Sequence, residues 1–81
     1  MSENKFETAV GMCVIALTRY IMEKCGLNQE DAYKKLVGME LYKLLNDQET
    51  NMYLEPNAYL CEVCEKELSE SVDAMYEFIN R

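Results

Sequence analysis

Cys61 and Cys64, in the stretch YLCEVCEKEL (59–68), are the pair of residues whose type and spacing could do chemistry. A C-x-x-C pair can hold zinc or cycle between dithiol and disulfide. Zinc needs four ligands, usually a second such pair or added histidines. The chain has no histidine. Its other cysteines, Cys13 and Cys25, fall on one predicted helix, about 18 Å apart along the axis. They cannot both join a single-ion site while that helix is intact. A thioredoxin-like pair would need a preceding strand and a helix start. Here the pair sits several residues inside a predicted helix. Its three-residue step is also the step of a core stripe. The spacing therefore favours small buried hydrophobes. Zinc shared between two subunits and a regulatory disulfide stay open as alternatives, and no metal or cofactor is expected.

The carboxylates pose the second chemical question. Two acids can do acid/base work when they share a pocket. Glu62, Glu70, Asp73 and Glu77 instead line one solvated side of a predicted helix. That stripe suits solubility or the docking of a basic partner. No calcium-loop spacing of the D-x-D-x-D-G kind occurs. There is no histidine base, no glycine-rich phosphate loop and no serine in a nucleophile elbow, so the chain is expected not to be an enzyme. Six tyrosines in so short a chain suit the rim of a small core and also protein contacts. Tyr53 and Tyr59, which flank a polar connection, are the candidate contact residues.

The elements that must position these groups are helical. Three glycines and one proline in 81 residues leave few breakers, as in helices joined by short turns. Phe6, Val10, Cys13, Leu17, Tyr20 and Ile21 recur at helical steps, predicting a helix from about Lys5 to Cys25 with Gly26 as its left-handed stop. Met12, Ile15 and Met22 fall on the opposite side, so residues 9–17 are apolar nearly all round. Such a helix is central to its bundle or shared with another chain. Asn28 is placed to cap a second helix, with Glu30 and Asp31 in its first turn. Residues 39–46 form a short third helix or continue the second. Pro56 suits the first position of the next helix. From about Pro56 to Asn80 the apolar phase runs unbroken through Ser69 and Ser71, which favours one long amphipathic C-terminal helix over the alternative of a break and a fresh cap at the two serines. The expected fold is all-α, a single domain over 1–81, a bundle of about four helices.

Charge narrows the partners. Residues 1–46 hold six acidic and six basic side chains; residues 47–81 hold nine acidic ones against Lys66 and Arg81. The whole net charge of −7 therefore belongs to the C-terminal part. This disfavours direct binding to nucleic acid or anionic membrane, which needs basic surface. The apolar stretch 9–17 is far short of the roughly 20 residues of a membrane span. Met1–Phe6 has no basic flank of the signal-peptide kind. A cytoplasmic protein with reduced thiols is the expectation.

The stretch MCVIALTRYIMEKCGLNQEDAYKKL (12–36) sets an apolar helix with an internal cysteine and tyrosine before a Gly-Leu turn and an acidic, capped second helix. With the closing SVDAMYEFINR (71–81), it resembles a family of small, uncharacterised all-helical bacterial proteins. Some of these are encoded beside toxin-like enzymes. The resemblance implies an antitoxin-like or accessory role and assigns no functional residue. The sequence thus points to a non-enzymatic interaction protein, a homodimer through Met12, Ile15 and Met22, that docks a basic partner on its acidic C-terminal helix. A thiol or metal site at Cys61–Cys64 and an acidic mimic of nucleic acid are the alternatives.

Overall fold

The computed structural model describes residues 5–81; the reading of residues 1–4 lies outside it. Helix α1 spans Lys5–Cys25, the expected range. It stops at Gly26, whose φ of +67° costs a residue without a Cβ nothing. The Leu27 N–H then returns to the Met22 carbonyl at 3.2 Å, a Schellman-type closure. Helix α2 spans Gln29–Val37. The Asn28 side chain caps it, accepting the Asp31 N–H at 2.8 Å as its sequence position predicts. Gly38 ends α2, and α3 is a separate short helix over Glu40–Leu45. Two 3₁₀ turns follow, Gln48–Thr50 and Met52–Leu54. Between them Asn51 takes the left-handed conformation, which asparagine tolerates better than most residues.

The C-terminal part departs from expectation. In place of one long helix there are two, α4 over Asn57–Ser69 and α5 over Val72–Ile79. Pro56 stands one residue before the first turn of α4 and not within it. The break falls at Glu70 and Ser71. The N–H groups of both return to the Lys66 carbonyl, at 3.0 and 3.1 Å. Ser71 is extended, and its hydroxyl accepts the Ala74 N–H at 3.0 Å. A serine oxygen that satisfies an orphan N–H of a new helix competes directly with continuation of the old one. The apolar phase hides this, because α5 folds back on α4 and still turns Met75 inward.

All-α is therefore correct, with five α-helices among the described residues where about four were expected. Helix α2 packs back along α1, α5 packs back on α4, and α1 and α4 meet in the middle. Leu17 and Ile21 of α1, Leu36 of α2, Leu41 and Leu45 of α3, Leu60 and Val63 of α4 and Met75 are fully buried. Burying one such side chain is worth roughly 1.5–3 kcal/mol. Helix α3 has no side-chain cap from its own N-cap residue, Met39. Glu67 on α4 takes that place. No described helix is long and apolar enough to cross a membrane.

Candidate interaction surfaces and the cysteine pair

Cys61 and Cys64 lie on the inward side of α4, Cys64 fully buried and Cys61 half-buried. All four cysteines are free thiols. Burial, then the nearby Cys61 and Glu67, pushes the Cys64 thiol up to about 12. Burial alone raises Cys61. Cys13, raised by burial too, donates its S–H to the Tyr53 carbonyl at 3.5 Å. Thiolate is the nucleophile and the metal ligand, so these environments work against both roles. Among the described residues no group of three or more histidine, cysteine or carboxylate side chains is placed to hold a metal ion. Cys64 belongs to the central hydrophobic cluster and Cys61 packs against it.

The acidic residues do not form one stripe on one helix. Glu62 is exposed on α4, Glu70 is the C-cap of that helix, and Asp73 and Glu77 are exposed on α5. Glu70 already meets Lys66, Oε2 to Nζ, at 3.2 Å. The turn at Ser71 redirects the chain between the second and third of the four.

The two candidate tyrosines are half-buried and engaged within the molecule. Tyr53 stands edge-on to Phe6, ring centroids 4.7 Å apart. Tyr59 stacks on Phe78 at 5.7 Å, and Lys66 and Arg81 approach the same Phe78 ring. They are rim residues of the core in the first place.

The α1 residues stand differently. Met12 is 67% and Ile15 59% exposed, on a helix whose other side supplies the core; Met22 is half-buried beside them. Next to this face runs a groove of about 520 Å³ along the α1–α2 seam. Ile15, Thr18, Arg19 and Met22 line one side of it, Gln29 and Tyr33 the other. Tyr33 and Val37, exposed on α2, extend the apolar character. The Thr18 hydroxyl at the seam is buried without a hydrogen-bond partner among the described residues.

One polar constellation is not visible in sequence spacing. Glu65 of α4 accepts the Tyr20 hydroxyl at 2.7 Å and the Lys24 ammonium at 2.6 Å on Oε1, and the Ser69 hydroxyl at 3.0 Å on Oε2. Bonding to Lys24, then Tyr20 and Ser69, holds its carboxyl down at about 2. The Tyr20 phenol is raised in turn, by burial and by this carboxylate. The cluster ties the end of α1 to α4, and every polar group in it has a partner, as expected of a structural clasp. Tyr20 and Lys24 share one helix and Glu65 and Ser69 another, and the two pairs lie far apart in sequence, on helices whose mutual placement only the fold reveals.

Comparison with known proteins finds no matching family model, no matching curated protein and no matching solved structure.

Proposed function

We propose that this chain is a non-enzymatic interaction protein that docks protein through the outward face of α1 and its seam with α2. The observation that carries the reading is the exposure of Met12 and Ile15 in mid-helix, beside the α1–α2 groove. An apolar patch rimmed by polar residues marks contact surfaces on small proteins. A groove between two helices accepts an amphipathic helix through anchors at helical spacing. The resemblance carried by residues 12–36 and 71–81 adds an antitoxin-like or accessory setting.

A second reading is favoured by the exposure of Glu62, Asp73 and Glu77 on the half of the chain that carries the net negative charge. There a basic partner would dock on α4 and α5. Affinity capture from lysate separates the two readings when the wild type is run beside two variants. The first is Met12→Lys/Ile15→Lys; the second is Glu70→Lys/Asp73→Lys/Glu77→Lys. Loss of capture in the first alone supports the α1 face. Loss in the second alone, with sensitivity to salt, transfers the role to the acidic surface.

A further inference from the structure

We infer that the outward face of α1 pairs with the same face of a second copy of this chain, the two α1 helices running antiparallel about a two-fold axis between Met12 and Ile15. The inference rests on the docking reading above and names its partner.

The first argument is spacing. Lys5, Thr8, Met12, Ile15, Arg19 and Met22 recur at alternating steps of three and four residues, the seam of a two-helix coil. In an antiparallel pair centred between Met12 and Ile15, each Met12 meets the other copy's Ile15. Lys5 then falls beside Met22, and Thr8 beside Arg19. The two bulkiest exposed apolar side chains of α1 thus cover one another.

The second argument is charge. Lys5 and Glu23 are about five helical turns apart, so they project along one line of the helix, roughly 27 Å from each other. Their midpoint falls at the proposed axis. Both are exposed, and neither has an ion-pair partner among the described residues. Each also opposes its own helix dipole, a cation in the first turn and an acid close to the end. Antiparallel pairing sets each Lys5 beside the other copy's Glu23, once at each end. Parallel pairing would set like against like at both ends and Arg19 against Arg19.

The third argument is Gly11. It is exposed in mid-helix, and nothing within 4 Å would meet a Cβ there. A glycine in that place costs helix stability with no return inside the chain. On the flank of the seam it lets a second backbone come close. The charge distribution agrees. The face lies on the half whose charges cancel, so the two copies meet without joining their acidic parts.

Sedimentation velocity of the full chain at low salt, from micromolar to near-millimolar concentration, tests this. The expected result is a dimer. Ile15→Glu should make it monomeric with unchanged helical circular dichroism, since that side chain lies outside the core. Lys5→Glu should weaken association about tenfold. Lys5→Glu/Glu23→Lys should restore it. A wild-type monomer throughout overturns the proposal, as does a dimer indifferent to Ile15→Glu. A dimer lost with Ile15→Glu but not restored by the charge swap overturns the antiparallel register. A wild-type monomer that still captures another protein in an Ile15-dependent way leaves the docking reading standing with a different partner. Loss of both ends both.

Discussion

The Glu67 carboxylate on α4 accepts the backbone N–H of Glu40 at 2.7 Å, and its other oxygen accepts that of Leu41 at 3.0 Å. One side chain so caps a helix to which it does not belong. The N-terminus of α3 is an electropositive end with orphan donors, and an acid there satisfies two of them while complementing the dipole. Glu40 in turn accepts the Tyr76 hydroxyl at 2.7 Å, joining α5 to the same point.

Removing that cap should cost stability. Glu67→Ala leaves two partly buried N–H groups unpaired and is expected to lose about 1–2 kcal/mol. Glu67→Gln keeps one acceptor and should lose less. Urea denaturation of both variants measures the difference.

Ser71 decides where α4 ends and α5 begins. Ser71→Ala should cost about 1 kcal/mol, while Ser71→Asp, a cap of equal rank that also suits the dipole, should be close to neutral. Amide exchange in Val72–Ile79 should quicken in the alanine variant ahead of the rest of the molecule.

Glu65 makes the fold sensitive to acid. Its folded pKa, about 2, lies below that of an ordinary glutamate, so the unfolded chain takes up its proton first. The stabilisation is fully present above about pH 5 and is lost as the pH falls toward 2. Glu65→Gln should flatten this part of the stability profile. An unchanged profile in that variant would remove Glu65 as the cause.

The four thiols should react unequally. Cys25 is exposed at the end of α1, Cys13 and Cys64 are buried, and Cys61 is half-buried. A thiol-reactive dye on the native protein should titrate one cysteine quickly and the rest slowly. Cys64→Ser should destabilise by about 1–3 kcal/mol, since it puts a hydroxyl among Leu60, Val63 and Met75.

Thr18 is the converse case. Thr18→Val keeps the shape and removes a buried hydroxyl without a partner, so stability should rise by about 1 kcal/mol. Thermal unfolding reads this directly.

Much of the fold is legible in the sequence, and the exceptions have physical causes. The bounds of α1, the left-handed Gly26 and the Asn28 cap are local events, written in residues a few positions apart. The break at Ser71 is local too. Periodicity misses it because a helix that folds back can keep its apolar face in phase. Glu67 and Glu65 are illegible for another reason. Both look like surface acids on α4, where Ser69 is the one local donor to Glu65, and the approach of α3 and α1 brings the rest. For the candidate surfaces, Met12 and Ile15 stand where the helical phase puts them, in solvent. The acid stripe depended on one continuous helix and divides with it. Tyr53 and Tyr59 sit at the rim, where Phe6 and Phe78, distant in sequence, occupy their rings.

The two back-folded pairs, α1 with α2 and α4 with α5, have a consequence for how the chain reaches its native state. Each pair joins neighbours in sequence across a short turn, so the loops that must close first are small and lose little entropy. The meeting of α1 with α4, and the contacts of α3 with both and of the second 3₁₀ turn with α1, bring distant segments together. A helical topology of this kind belongs with domains that fold in roughly microseconds to milliseconds. The slow step should be the docking of two preformed hairpins, and substitutions at that junction, Tyr20 or Glu65, should be the ones that retard it.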